Sequence, residues 1–306
     1  MTNPAEATLH GWLVIDKPAG ITSNRVVTVV RRATGAKTGH AGTLDPFATG
    51  ILPVALGEAT KTMRFAGEGR KRYRFTVRWG VATDTDDRDG AVVAETPVRP
   101  GEAEIAAILP HFTGTIRQRP PAYSAIKVSG RRAYDLARRG APPELAERPV
   151  EVMSLSLTEC SDADHAVFEA EVGGGTYIRA LARDIAAALG TLAHVAVLRR
   201  LSVGRFTEAQ AISLDLVALL GHSLAASEHL LPLETVLDDI PALALAADEV
   251  ARLRHGQPVT PRDPRERAHL DRLLEGTIVS ARHDQLLIAV ARIEKGGLRP
   301  VRIINR

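Results

Sequence analysis

The sequence contains a single cysteine, Cys160, and this scarcity excludes two kinds of structure. One thiol cannot form an intramolecular disulfide, and it cannot supply the thiolate cluster of a zinc or iron–sulfur centre. Cys160 lies in the run LTECSDAD, which carries no motif of a cysteine nucleophile. We therefore expect a structural thiol at the end of a strand.

Long apolar runs are also missing. No stretch of about 20 apolar residues is present that could span a bilayer. The opening residues MTNPAEATLHGW lack the basic segment and apolar run of a secretion signal. Hydrophobic residues nevertheless make up 45% of the 306 residues, enough to build a sizeable core. These features predict a soluble cytoplasmic protein.

Complete cofactor motifs are absent as well. The string AKTG has Ala36 where a phosphate-binding loop needs a glycine before its lysine. The glycines at 173–175 are consecutive rather than spaced as GxGxxG. The run DTDDRDG puts Arg88 and Asp89 at the fifth and sixth positions of a calcium loop, where an oxygen ligand and a glycine are needed. Since no Cys/His cluster has metal-ligand spacing, we expect chemistry without a metal or nucleotide cofactor.

Positive charge is present, and it is clustered. The formal net charge is only +3, with an isoelectric point near 9.2. The basic groups, in which arginine predominates, are Lys61, Arg64, Arg70, Lys71, Arg72, Arg74 and Arg78; Arg131 and Arg132; Arg138 and Arg139; and Arg199, Arg200 and Arg205. A solvated surface would explain any one group. Several groups beside candidate active-site segments favour a nucleic-acid partner, because the planar guanidinium suits phosphate.

Hydrophobic periodicity predicts an α+β fold with two unequal units, at residues 1–240 and 241–306. In the first, strands are expected in GWLVIDK, ILPVAL, YRFTVRWG, RPVEVMSLSLTEC, HAVFEAEVG and HVAVLRRLSVGRF. Helices are expected after Thr22, Ser23 or Asn24, and in ATKTMRFA, GEAEIAAILPHF, RRAYDLARRG and IRALARDIAAALG. Residues 36–50 read as a loop. The second unit reads as a helix between Pro241 and Gly256, a Pro/Arg-rich loop and three strands.

Two polar loops are the candidates for chemistry. The first, GHAGTLDPFATG, holds one acid, Asp45; an Asp-Pro pair is often a simple turn former. The second, GGGTYIRALARD, places Arg179 at the start of a helix. If the loops meet, Arg179 pairs with Asp45 and keeps the carboxylate ionised and oriented; otherwise it lies on the helix surface. Tyr73 either belongs to the core or lies at a pocket edge and stacks on an unpaired base.

Several motifs then occur in a recognisable order. They are DKPAGITS (16–23), GHAGTLDPFATGILPVALGEATK (39–61), KRYRF (71–75), PPAYSAIKVSGRRAYDLAR (120–138), GTYIRALARDI (175–185) and LRRLSVGRF (198–206). Over roughly residues 10–215 the chain closely resembles the TruB family of tRNA pseudouridine synthases. The resemblance implies a large mixed-sheet catalytic domain. The tail resembles, more loosely, the family's small β-rich, PUA-like RNA-binding module.

The resemblance implies isomerisation of uridine 55 in the T loop of tRNA, which needs no cofactor. Asp45 matches the family's nucleophile, Arg179 its ion-pair partner, and Tyr73 the ring that stacks on the target uracil and helps to remove the C5 proton. Tyr177 and Leu198 match groups packed around the base, and His40 a residue that fills the space left by base flipping. As phosphate contacts we expect Lys17, Arg64, Lys71 and Arg74.

The sequence is also compatible with three other functions. The protein could bind tRNA and assist its folding without chemistry. It could be a nucleoside glycosidase, although that chemistry ordinarily uses a second carboxylate. It could also resemble relatives that modify rRNA inside a guide-RNA particle, in which case it would need partner proteins; we expect no obligate protein partner.

Overall fold

The computed structural model describes residues 9–305 apart from 125, 129, 142 and 161. The interpretation of the first eight residues as lacking a secretion signal lies outside the described residues. So do two positions of the 120–138 motif and the side chain of Arg132 in the basic groups.

Eighteen strands are assigned within the described residues. They are β1 Gly11–Lys17, β2 Thr38–His40, β3 Thr49–Leu56, β4 Lys71–Trp79, β5 Val81–Thr83, β6 Val92–Glu95, β7 Gly114–Gln118, β8 Lys127–Val128, β9 Arg131–Arg132, β10 Arg148–Glu159, β11 His165–Val172, β12 Ala193–Val203, β13 Phe206–Thr207, β14 Ala211–Ile212, β15 Ala242–Ala244, β16 Ile278–His283, β17 Leu286–Glu294 and β18 Gly297–Ile303.

Helices fill the connections. The α-helices are α1 Ser23–Thr34, α2 Met63–Glu68, α3 Glu102–Ile108, α4 Ala133–Ala137, α5 Ile178–Ala188, α6 Leu214–Leu220, α7 Ala247–Arg254 and α8 Pro264–Leu270. Short 3-10 turns cover Gly57–Thr62, Leu109–Phe112, Glu208–Gln210, Gly221–Ala226 and Leu233–Leu237. In the part of the chain that the structure describes, no helix is long and apolar enough to cross a membrane.

A mixed ten-stranded sheet organises most of the chain. Its main order is β14-β1-β3-β12-β4-β11-β10-β7, with β2 paired to β3 and β13 paired to β12. The β1–β14 and β3–β12 pairs are parallel, whereas the other pairs are antiparallel. The predicted large mixed sheet is thereby confirmed. Strand β12 lies between β3 and β4, so it joins the two segments that carry Asp45 and Tyr73.

Local sequence signals explain the first elements well. The Thr22 hydroxyl accepts a hydrogen bond from the Arg25 amide at 3.1 Å and so begins α1. Gly35, with a φ of 67°, ends that helix in the left-handed conformation that glycine adopts readily. Strand β4 alternates buried and exposed positions, and Tyr73, Phe75 and Trp79 share its buried face as predicted.

The two faces of the sheet bury separate cores. Helices α1 and α5 cover one face, with a cluster that includes Val26, Phe75, Phe168 and Leu181. On the other face of β1 and β3 lies a second cluster, in which the rings of Trp12 and Phe206 have centroids 5.3 Å apart. The first core supports the side of the sheet on which Tyr73 lies.

The second unit is built on a sheet of four strands. The three predicted strands are confirmed as β16, β17 and β18, and β15 adds a parallel strand that the sequence pattern did not indicate. The helix predicted from Pro241 begins only at Ala247, because residues 242–244 pair with β16 instead. The Pro/Arg-rich loop contains α8, which Asp263 caps through the amides of Arg265 and Glu266.

Other expectations need correction. The 36–50 segment contains the short strand β2, because Gly39 and His40 pair with β3. The ATKTMRFA segment is a 3-10 turn followed by a short α-helix. Cys160 does follow the end of β10, but it is exposed, so it is not a packed structural thiol.

The second unit also packs on the first. Leu287, Val290 and Ile304 belong to the same apolar cluster as Trp12. The Lys61 ammonium donates to the Ile303 carbonyl at 2.7 Å, and the Asn305 amide to the Glu58 carboxylate at 2.6 Å. The C-terminal strands therefore share an apolar interface with the main sheet.

This interface can be tested on two neighbouring leucines. Leu287 is 2% exposed within the shared cluster, whereas Leu286 is 54% exposed. We expect Leu287→Ala to lower the free energy of unfolding by about 2–4 kcal/mol, because it leaves a cavity. Leu286→Ala should change it by less than about 0.5 kcal/mol. Urea denaturation measures the free energy of unfolding of both variants. If both substitutions lower it by equally small amounts, the interface is not closely packed.

Candidate active site

The centre of the candidate site is the ion pair between Asp45 and Arg179. The Arg179 Nε lies 3.0 Å from one Asp45 carboxylate oxygen, and Nη2 donates to the other at 3.2 Å. The arginine side chain is 4% exposed, whereas that of Asp45 is 34% exposed. The guanidinium is therefore fixed inside the protein while the carboxylate remains open to a ligand. The predicted meeting of the two polar loops is thus observed.

Arg179 has further partners on its remaining nitrogens. Nη1 donates to the Thr85 carbonyl at 2.7 Å and lies 3.2 Å from the Asp87 carboxylate. Nη2 also donates to the Tyr123 carbonyl at 2.9 Å. A guanidinium held by two carboxylates and two carbonyls has little freedom to move, so it fixes the direction of the Asp45 carboxylate.

The acidic turn at 84–90 supplies this support. The Asp87 carboxylate accepts from the Thr85 hydroxyl at 2.7 Å and from the Asp89 amide at 3.1 Å. Burial raises the pKa of Asp87 above its ordinary value, while the Thr85 hydrogen bond and Arg179 act in the opposite direction. No group of side chains in the described residues is arranged to hold a metal ion. The Asp87 carboxylate of this turn forms an ion pair with Arg179.

A second arginine of α5 anchors the same turn. Arg183 Nη1 contacts the Asp86 carboxylate at 2.9 Å, and Nη2 donates to the Arg119 carbonyl at 2.7 Å. Burial, first of all, raises the pKa of Asp86. The sequence pattern did not single out Asp86, Asp87 or Arg183 as site residues. The sequence holds no local signal for them, because Arg183 and Asp86 are 97 residues apart in the chain.

The start of α5 is positioned by Gln118. Its side-chain oxygen accepts from the Tyr177 amide at 2.8 Å, and its side-chain nitrogen donates to the Tyr177 carbonyl at 3.1 Å. Gln118 is 1% exposed, so these two bonds are shielded from water. Tyr177 itself is half-buried, with the Arg148 guanidinium carbon 5.5 Å from its ring centroid. The helix thus begins at a fixed point, with Arg179 in its first turn.

The loop that carries Asp45 is held on both sides. The Ser23 hydroxyl donates to the Leu44 carbonyl at 3.0 Å and accepts from the Leu44 amide at 2.9 Å. The Gly20 amide and the Lys17 ammonium both donate to the Pro46 carbonyl, at 2.9 and 3.2 Å. These bonds fix the residues immediately before and after Asp45.

The apolar candidates lie beside this loop. Tyr73 is 8% exposed and Leu198 5% exposed, and both belong to the cluster that contains Leu44 and Phe47, the neighbours of Asp45. Tyr73 therefore packs in the core, but no described residue binds its hydroxyl. His40 lies on β2, directly before the loop.

Two of the expected phosphate contacts, Lys17 and Lys71, direct their ammonium groups into the protein. Lys17 is buried, and its ammonium donates to the carbonyls of Pro18 and Ile21, each at 2.8 Å, as well as to that of Pro46. Burial lowers the pKa of Lys17 to about 8. Lys71 is 8% exposed and donates to the Gly67 carbonyl at 2.7 Å and the Gly69 carbonyl at 3.1 Å. Both ammonium groups are committed to the protein backbone and serve as internal supports.

The other two basic candidates are exposed. Arg74 Nη2 lies 2.7 Å from a Glu169 oxygen, and Arg72 binds the other oxygen of the same carboxylate. The Arg64 guanidinium carbon lies 4.5 Å from the Phe65 ring centroid. Neither Arg64 nor Arg74 contacts the Asp45–Arg179 pair in the described residues. Both are accessible to a phosphate group.

Comparison with known proteins identifies close relatives of this arrangement. Residues 30–178 match the family model described as TruB family pseudouridylate synthase (N terminal domain), and residues 179–238 match that of the tRNA pseudouridylate synthase B C-terminal domain. A protein of Rhodospirillum rubrum named tRNA pseudouridine synthase B is 50% identical over 298 residues, which are 97% of each chain. Another of that name, from Caulobacter vibrioides, is 49% identical over 300 residues, covering 97% of this chain and 96% of its own.

Solved structures share the fold. The archaeal box H/ACA sRNP Nop10–Cbf5 complex contains a chain that matches with a TM-score of 0.72 at 24% identity, covering 99% of this chain and 88% of its own. A structure of an H/ACA RNP bound to a substrate RNA containing 2′-deoxyuridine matches with the same TM-score at 22% identity. The match covers 100% of this chain and 92% of the matched chain. At this level of identity, the likeness concerns the fold alone.

The buried Lys17 ammonium gives a stability test. We expect Lys17→Met to lower the free energy of unfolding at pH 7 by at least about 1 kcal/mol, because three carbonyls lose their donor. The folded-state pKa of about 8 lies below the ordinary 10.5. Between these values the unfolded chain binds more protons, so wild-type stability relative to the variant should rise with pH, by at most about 1.4 kcal/mol per unit.

Urea titrations of both proteins at pH 7, 8, 9 and 10 measure this difference. Because the other titrating groups are common to both chains, their contributions cancel in the comparison. If the free energies of unfolding of wild type and Lys17→Met move closer together as the pH rises, the lowered pKa of the buried Lys17 is contradicted.

Proposed function

The chain belongs to the TruB family of pseudouridylate synthases, and from this premise we propose that it converts uridine 55 in the T loop of tRNA into pseudouridine. The observation that carries the proposal is the half-exposed Asp45 carboxylate held by the buried Arg179. Relatives that match nearly the full length of the chain are named tRNA pseudouridine synthase B. We place its action in the cytoplasm, on a tRNA substrate and without an obligate protein partner.

The reaction rearranges one nucleoside without adding or losing atoms. The N1–C1′ bond breaks, the uracil turns in place, and a C5–C1′ bond forms; the proton on C5 is removed and N1 gains one. Asp45 serves as the nucleophile, attacking either the ribose or the pyrimidine ring, and its carboxylate is released when the new bond is complete. Arg179 holds the carboxylate in its attacking direction throughout.

Base flipping makes the uridine accessible. Extruding a base from a folded loop costs a few kcal/mol, which stacking and apolar packing offset. Tyr73 stacks on the uracil, Tyr177 and Leu198 pack around it, and His40 fills the space that the base leaves. The Tyr73 hydroxyl is free of protein partners among the described residues, which suits a role in removing the C5 proton.

Substrate binding uses the exposed arginines. Arg64 and Arg74 contact phosphates of the tRNA, whereas the buried lysines do not. Residues 1–240 form the catalytic domain, and residues 241–306 form a PUA-like RNA-binding domain. This division is supported by the separate sheet and apolar cluster of the C-terminal strands.

The nucleophile is tested by Asp45→Ala. We expect the variant to bind tRNA within several-fold of wild type but to form no measurable pseudouridine, since the attacking group is gone. The assay maps pseudouridine in a tRNA transcript incubated with the purified chain alone, with a T-loop mutant transcript as substrate control. The exposed Asp215, replaced by alanine, serves as the protein control and should retain full turnover.

The outcomes separate the alternatives. Substantial product from Asp45→Ala removes the nucleophile assignment. Release of free uracil by wild type indicates a glycosidase, and binding without product indicates a tRNA-binding protein. A requirement for added proteins or guide RNA would overturn the proposal that the chain acts alone.

The role of Tyr73 is tested by Tyr73→Phe, which retains the ring for stacking and removes the hydroxyl. We expect the single-turnover rate to fall by about 100-fold or more, with tRNA affinity unchanged, because loss of a proton acceptor slows only the chemical step. Tyr73→Leu removes the ring as well and should weaken tRNA binding too. If Tyr73→Phe turns over at the wild-type rate, the hydroxyl takes no part in proton removal.

A further inference from the structure

Arg200 lies at the centre of the main sheet and reaches both ends of the Asp45 loop. Its side chain, on β12, is 1% exposed. Nε donates to the Ile51 carbonyl at 2.7 Å, and Nη2 donates to the Gly42 carbonyl at 2.9 Å. One planar guanidinium therefore ties Gly42, near the start of the loop, to Ile51, which directly follows the loop.

The backbone of Arg200 connects the loop to the Tyr73 strand. Arg200 pairs with Gly50 of β3 on one side and with Tyr73 of β4 on the other. Side chains directly opposite each other in an antiparallel pair point to the same face of the sheet. Arg200 and Tyr73 therefore lie on one face, side by side, beneath the loop.

The loop lies close to Arg200 at both ends, and at Gly50 it lies too close for a larger residue. A Cβ at Gly50, where φ is +98°, would lie 2.2 Å from the Arg200 carbonyl oxygen. At Gly42, where φ is +83°, it would lie 3.4 Å from the guanidinium. Both ends of the loop thus rest directly on this residue.

The charge of Arg200 has no evident structural purpose. Within the described residues no carboxylate lies within ion-pair distance, whereas Arg179 has two. Removing a guanidinium from water costs several kcal/mol, and two carbonyl acceptors offset only part of this. An apolar side chain would fill the same position at lower cost, so the fork of two donors is the property that distinguishes arginine here.

We propose that Arg200 is a positioning residue for the isomerisation, which sets both ends of the Asp45 loop relative to the strand that presents Tyr73. The inference rests on the proposed function, because it needs a carboxylate that attacks a base stacked on that ring. A displacement of a reacting group by about 1 Å can lower a rate by about 100-fold. Arg200 acts through the loop backbone and does not touch the substrate.

The test compares Arg200→Met and Arg200→Lys in single-turnover assays on a tRNA transcript. Arg200→Met removes both donors and should lower the rate by about 100-fold. Arg200→Lys retains the charge without the planar fork. Its single-turnover rate should lie between the rates of wild type and Arg200→Met. The dissociation constant for tRNA should stay within a small factor of wild type for both, because the side chain is buried.

Two controls separate positioning from folding. Arg99 also donates to two backbone carbonyls, those of Thr96 and Val98, at 2.7 and 3.1 Å, but outside the site; Arg99→Met should keep the wild-type rate. Ile105 is 1% exposed on α3, which carries no residue of the site, so Ile105→Ala should be destabilised by the cavity it leaves. At a temperature where circular dichroism shows it folded, it should keep the wild-type rate.

Each result then has one meaning. A wild-type rate in folded Arg200→Met, or in Arg200→Lys, overturns the positioning role. An equal fall of the rate in Ile105→Ala would attribute the effect to stability and also overturn the positioning role. A wild-type chain that forms no pseudouridine at all rejects the proposed function instead.

Discussion

The site depends on one buried guanidinium, that of Arg179. It lies between the carboxylates of Asp45 and Asp87, and only Asp45 is substantially exposed. Burying a cation is costly unless charged or hydrogen-bonding groups surround it, and removing one of the carboxylates would leave the Arg179 charge less compensated. The acidic turn, the Tyr123 carbonyl and the start of α5 are thus all constrained to converge on it. Because Arg179 is fixed in this way, its contacts hold the Asp45 carboxylate in one orientation, which a surface loop alone could not do.

Three other buried cations support the same region in a different way. Lys17, Lys71 and Arg200 donate to backbone carbonyls rather than to carboxylates. Hydrogen bonds to carbonyls leave the charge uncompensated, and this explains why burial, and secondarily Arg200, lowers the pKa of Lys71 to about 8. The loop is therefore held by charged donors whose acceptors are the chain itself, so each support depends on local backbone geometry.

Features that depend on local residue patterns could be predicted from the sequence, whereas supports that depend on distant backbone carbonyls could not. The period-2 pattern predicted strand β4 of the mixed sheet, and the cap at Thr22 predicted the start of α1. The order of the motifs pointed to the pairing of Asp45 with Arg179. Lys17, beside a Pro/Gly turn, and Lys71, in a basic run, could not be recognised as internal supports, because their carbonyl acceptors are not visible in the sequence. Asp87 and Arg200 were missed as site residues for a related reason. Their partners are 92 and 158 residues away in the chain, and nothing local indicates them.

Fold likeness and substrate choice are separate properties here. The chain shares its fold with proteins solved in H/ACA complexes, at 24% and 22% identity. A fold fixes where a carboxylate, its arginine and a stacking ring can meet, but not which RNA reaches them. Lys17 and Lys71 are committed to the interior, whereas Arg64 and Arg74 are exposed. Surface arginines can change without disturbing the buried supports of Asp45, so the fold constrains the centre of the site more tightly than its exposed surroundings.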